Sequence, residues 1–222
     1  MTAQRYDIYR LIHKGMRSFL TDTLLTLGRL DPHSAADRHA TLTQLRNLLD
    51  FCESHLAHEN EFIHTAMHAR QPGSADNMDE HHQQHLQMIA ELRGMAEQLQ
   101  AVRNEEREQI CALLYRKLAV FVADNLAHMD EEETLNNAIL WRYYTDEEIR
   151  AIEQALVATI PPHKNAETMQ WMLPALNHQE RHEFLSGVRR AAPAPVFENL
   201  LTIAREKLSR SEWNKLQFAL AC

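Results

Sequence analysis

His81 and His85, in the run MDEHHQQHLQM at residues 78–88, are a pair whose type and spacing suggest chemistry. Side chains four apart share one face of an α-helix, so the two imidazoles point the same way. At about 100° per residue that face also takes Met78, Met88, Leu92, Met95 and Leu99, an otherwise apolar stripe. Burying two neighbouring imidazoles without partners costs roughly 1–3 kcal/mol for each unsatisfied polar group. A shared metal ion removes that cost. His82 points about 100° away from His81 and reads as a flanking residue.

A metal site in a helical core draws side chains from several facing helices, so the other helices must carry ligand types in their own apolar stripes. They do. A first helix, expected over residues 2–30 and ended by Asp31-Pro32, has Tyr6, Tyr9, His13, Leu20, Leu24 and Leu27 on one face. A second, over residues 34–70 with Ser34 as N-cap, shows Leu45, Leu48, Cys52, His55, Glu59, Phe62 and Ala66. His64 and His68 fall on the far side and read as solvated, and His58 and Glu61 as edge or surface residues. The third helix, with Asp76 or Asn77 suited to cap it, spans residues 75–102. A fourth, over residues 105–140, lines up Leu114, Phe121, His128, Glu132, Leu135 and Ile139. In its DEEE run Glu132 matches the stripe best, and Asp130, Glu131 and Glu133 read as a solvated face.

Composition agrees with such a fold and excludes others. The 222 residues are 45% hydrophobic with only 5 Gly and 7 Pro, so little punctuates short strands and an all-α protein is expected. The net charge of −8, without a basic patch, argues against nucleic acid as a partner. No stretch of eighteen apolar residues suggests a membrane span, and the amino terminus lacks a leader-like apolar run; a cytoplasmic protein is the expectation. Cys52, Cys111 and Cys222 form no Cys-x-x-Cys pair, which supports neither a disulfide framework nor a zinc ribbon. Eleven of the 14 histidines precede Trp141, so the enrichment belongs to the four long helices.

The inward positions thus collect His13, His55, Glu59, His81, His85, His128 and Glu132. Five imidazoles and two carboxylates suit two divalent ions, and the mixture of N and O donors favours iron, manganese or zinc over calcium. Competing motifs fail. Glu-x-x-His, which ferritin-like sites need on two helices, occurs only at Glu61 and His64, on the outer face. A zinc protease needs His-Glu-x-x-His, and after His58-Glu59 the required position is Phe62.

In these residues the chain resembles the hemerythrin and hemerythrin-like (HHE cation-binding) family. The family pattern is one histidine on the first helix, His-x-x-x-Glu on the second, His-x-x-x-His on the third, and histidine plus a carboxylate on the fourth. Here it reads His13, then HLAHE at 55–59, HHQQH at 81–85 and HMDEE at 128–132. The resemblance covers about residues 1–144. It implies an antiparallel up-down four-helix bundle around two iron ions, bridged by Glu59, Glu132 and an oxo or hydroxo group. The oxygen carriers of the family place an aspartate five residues after the last histidine. Here Glu132 stands at four and Glu133 at five, which bears on oxygen carriage more than on metal binding.

After Trp141 the chain changes character. Capping boxes are expected at Thr145/Glu148, Asn177/Glu180 and Ser209/Glu212, and Pro161-Pro162, Pro174, Pro193 and Pro195 divide the rest into about four short helices ending near Ala221. His178 and His182 sit in a polar run and read as a surface pair. This segment, 145–222, is expected to pack on the bundle, on a second copy or on another partner. Three functions follow in order: a di-iron protein binding O2, NO or H2O2 to sense, carry or scavenge it; an enzyme of the same centre, catalase-like or reducing NO or O2; and an interaction protein with a structural metal site.

Overall fold

The computed structural model describes residues 5–221, which form nine helices and no strand. The expected start at Thr2, and Cys222, lie outside the described residues. Helix α1 is Arg10–Gly28. Helix α2 covers 35–70 in three stretches: α-helical Ala35–His58, π-helical Glu59–His64 and α-helical Thr65–Arg70. Helix α3 is Asp76–Ala101. Helix α4 covers 104–143 in the same way: Asn104–Glu131, a π-helical Glu132–Asn136, and Asn137–Tyr143. Five short helices follow: α5 Asp146–Thr159, α6 Pro162–Ala175, α7 His178–Ala191, α8 Ala194–Lys207 and α9 Arg210–Ala221.

Local chemistry sets these limits. Ser34 caps α2 by accepting the Asp37 N–H at 3.3 Å. Gly73, at φ 81°, makes the tight turn between α2 and α3, a conformation that costs other residues but not glycine. Ala75, not Asp76 or Asn77, stands at the N-cap of α3, without a side-chain cap. All three expected capping boxes form, at Thr145, Asn177 and Ser209. The helices from α5 onward begin at residues 146, 162, 178, 194 and 210, each sixteen after the last. Capping boxes open α5, α7 and α9, and prolines open α6 and α8, so the repeating unit is a pair of helices.

Two compact units result. Among the described residues the first contains 5–9 and 19–157, and therefore keeps most of α5, past the expected boundary at 144. In it the long helices run antiparallel. Phe19 meets Phe51, Gln44 bonds Asp22, Arg93 bonds Asp50 and Glu53, and Lys117 pairs with Glu91. One end of this bundle is filled by Leu45, Leu48, Leu49, Leu92, Leu99, Leu114 and Leu118, all completely buried. Toward the other end Ile8, Tyr9, Ile63, Met67, Leu140 and Ile149 form a second apolar cluster. The second unit joins Arg10–Ser18 to residues 158–221, around Met172, Leu173, Leu185, Leu200, Ala204 and Leu216.

Candidate metal centre

Between the two apolar ends of the bundle lies a polar layer: Glu59, His82, His128 and Glu132, none more than 5% exposed. These four present donor atoms that all lie within 4.8 Å of one another. His55, Glu59 and Glu132 offer a second such cluster. Glu59 and Glu132 thus belong to both. His55 Nε2 is 3.1 Å from Glu59 Oε1; His128 Nε2 and His82 Nε2 are 3.4 Å and 3.6 Å from Glu132 Oε1; and His82 Nε2 is 3.7 Å from Glu59 Oε2.

Helix geometry explains how four residues from three helices converge. His55/Glu59 and His128/Glu132 are each four apart, so each pair stacks on one face. Both carboxylates open a π turn, in which residue i+5 returns close to the face of residue i. One extra residue per turn moves the inward face on by one position. The sequence predicts Phe62 and Ala66 inside, and the structure buries Ile63, His64 and Met67; it predicts Leu135 and Ile139, and the structure buries Asn136, Asn137 and Leu140 and leaves Leu135 57% exposed. His64, expected in solvent, is therefore 1% exposed. Its neighbour His68 is half-buried.

On α3 the correction has another cause. The expected stripe of Met78, His81, His85, Met88, Leu92, Met95 and Leu99 keeps Met78, His85, Leu92 and Leu99, but the buried residues between them are His82, Ile89 and Ala96. A 3.5-residue repeat permits either neighbour, and the side on which α2 and α4 lie decides. His82, set aside as a flanking residue, is completely buried, while His81 is half-buried with its Nδ1 3.9 Å from Glu131. The signals that favour His82 are the apolar Ile89 and Ala96 in its register.

Asn60 Oδ1 lies 2.6 Å from His82 Nδ1, which places a proton there and turns the Nε2 lone pair to the centre. That atom meets His128 Nε2 at 3.0 Å. Two ring nitrogens so close require a proton on one of them or a cation between them. His85 is buried but gives its Nε2–H to Asp124 at 2.8 Å, and belongs to neither donor cluster. Burial, then the charge of His128, lowers its pKa to about 4. His13 is completely buried on α1. His178 and His182 lie in the second unit and join no cluster of donors among the described residues.

Burial and the Glu59 charge push the Glu132 carboxyl up, yet the neighbouring imidazoles, His128 above all, hold it below its ordinary range. Glu132 is thus ionised in an interior that penalises charge, beside a second carboxylate. Divalent cations suit this set on three counts: mixed N and O donors, two shared carboxylates, and spacings that fit ligands on one ion. Asn136 at the end of the second π turn donates to the Tyr9 hydroxyl at 3.2 Å. Burial, then the charges of Glu132 and Glu59, raise that phenol well above its ordinary range and keep it protonated.

Among comparisons with known proteins, the family model of the hemerythrin HHE cation binding domain matches residues 4–139. No curated protein and no solved structure matches the chain.

Proposed function

Because the chain belongs to the hemerythrin HHE cation-binding family, we propose that it is a non-heme di-iron protein that binds a small diatomic or peroxide ligand, O2, NO or H2O2, to sense, carry or scavenge it. One ion would be held by His55, Glu59 and Glu132, the other by Glu59, His82, His128 and Glu132. The observation that carries this reading is that both carboxylates are shared between two donor clusters, as bridges between two ions must be. Manganese or zinc satisfies the same donors less specifically. An iron pair there would supply two Lewis-acidic, redox-active ions.

The chain's own residues do the rest. Asn60 orients His82, the α2 and α4 turns present the two carboxylates, and the apolar clusters on both sides keep bulk water from the layer. The ligand is gaseous or a peroxide, the setting cytoplasmic, and residues 145–222 are available for a protein partner or a second copy. No described helix is long and apolar enough to cross a membrane. A turnover reading has one observation in its favour, the protonated Tyr9 hydroxyl held by Asn136 in the field of both carboxylates.

Metal analysis of protein purified from iron-replete cells tests the first reading, with two irons per chain expected and one zinc against it. Mixing the reduced iron form with O2, NO and H2O2 then separates binding from turnover. A ligand recovered unchanged favours a carrier or sensor; sustained dismutation of peroxide favours an enzyme.

A further inference from the structure

We propose that His64 presents a hydrogen-bond acceptor to the ligand at the metal centre, so that the centre favours hydrogen peroxide, which carries its own protons, over the proton-free diatomics. This rests on the metal-centre reading above and narrows its ligand class.

A chain of hydrogen bonds running in from the surface fixes the tautomer of His64. The Gly73 N–H donates to His68 Nδ1 at 3.2 Å. That nitrogen accepts, so the ring proton of His68 sits on Nε2 and is donated to Asp79 Oδ2 at 3.1 Å. The other oxygen of Asp79 accepts from His64 Nδ1 at 2.7 Å. The proton of His64 is thereby committed to Nδ1, and its Nε2 carries a lone pair. Nε2 is buried and has no hydrogen-bond partner, in a residue only 1% exposed.

A carboxylate on one nitrogen and a bare second nitrogen facing inward is how proteins set an imidazole to bind something. The His64 ring lies almost parallel to the His82 ring, with centroids 4.8 Å apart and planes at 24°. Its Nδ1 edge faces the half-exposed Asp79, so its Nε2 edge faces the interior beside His82. His64 belongs to neither donor cluster. Its stack on His82 sets it beside one of those clusters. A buried acceptor left unpaired costs roughly 1–3 kcal/mol, and a site built to pair with an O–H rejects an analogue that lacks one. Hydrogen peroxide offers two O–H groups; O2 and NO offer none.

The test compares iron-loaded wild-type protein with His64→Phe and Asp79→Leu, using hydrogen peroxide and NO as probes. His64→Phe keeps the stack on His82 and removes the acceptor. The second-order rate of the peroxide-induced absorbance change should fall about tenfold or more, with NO affinity and iron content unchanged. In the metal-free protein, long-range 1H–15N spectra should show the Nδ1–H tautomer of His64, and Asp79→Leu, which removes the acceptor, should abolish it. Should His64→Phe fail to fold, the Asp79→Leu protein carries both measurements. Equal effects on peroxide and NO, or none on either, overturn the proposal alone. Wild-type protein that takes up no iron overturns the metal centre and this proposal with it.

Discussion

Glu59 and Glu132 hold equivalent places on α2 and α4: each follows a histidine by four residues, opens a π turn and joins both donor clusters. Two buried carboxylates require either protons or cations, and Glu132, held below its ordinary range by the imidazoles beside it, is the one that stays ionised. The histidines around them divide by partner. His82 has Asn60 on one nitrogen and the centre on the other, whereas His81 reaches toward Glu131 at the surface. Replacing His82 with alanine should therefore weaken metal binding by roughly 10–100-fold. His81→Ala should change it by no more than about threefold. Titration with ferrous ion in the absence of oxygen measures both. A larger loss in His81→Ala would put the ligand in the other register.

At the scale of the element, the π turns are what let each helix serve its carboxylate and its apolar end together. The extra residue in 132–136 moves the following inward face from Leu135 and Ile139 to Asn136 and Leu140. Deleting Thr134 would convert the stretch to a regular α-helix and return the later residues to the inward face under new numbers. The fold should survive, with a melting temperature within a few degrees of the wild type, while metal affinity drops at least about tenfold because the Glu132 carboxylate is re-aimed. Circular dichroism melts and metal titration on the same sample give the two results. In the second unit Glu212 bonds the Ser209 hydroxyl and N–H and Arg181, whose guanidinium also holds the Leu173 and Pro174 carbonyls. The Ser209 hydroxyl and Arg181 hold the Glu212 carboxyl at about 2, from an ordinary 4.5. A folded-state value below the unfolded one contributes stability above pH 4.5 that is lost as the pH falls toward 2. Glu212→Gln should flatten that part of the acid melting profile, and an unchanged slope would assign it to other carboxylates.

For the whole molecule, metal occupancy and folding are one equilibrium. The donors lie between the apolar ends of the bundle, so a cation bound to the folded chain and not to the unfolded one stabilises it by mass action. With free metal about a thousandfold above its dissociation constant the gain is about 4 kcal/mol. Removing the metal should lower the melting temperature, and re-adding ferrous ion should restore it. A melt indifferent to the metal would mean that the polar layer is satisfied by protons alone. Binding should also release protons, because the proton between His82 Nε2 and His128 Nε2 must make way for the ion. A weakly buffered titration followed with a pH indicator measures that release.

Much of this was legible in the chain itself. Sparse Gly and Pro and long stripes of helical period specify an all-α bundle, and the spacing of four in His55/Glu59 and His128/Glu132 specifies donor pairs on single faces. Local side-chain chemistry likewise specifies the three capping boxes. Three things were decided only by packing. The choice of His82 over His81 depends on which side of α3 its neighbours lie, since a repeat of 3.5 allows both. The burial of His64 depends on a π turn, whose one-residue offset no apolar stripe announces. The grouping of Arg10–Ser18 with the C-terminal helices joins residues far apart in the sequence, and periodicity carries no information at that range. A helical stripe records what each residue must face within its own segment; which partner it faces is settled only when the segments meet.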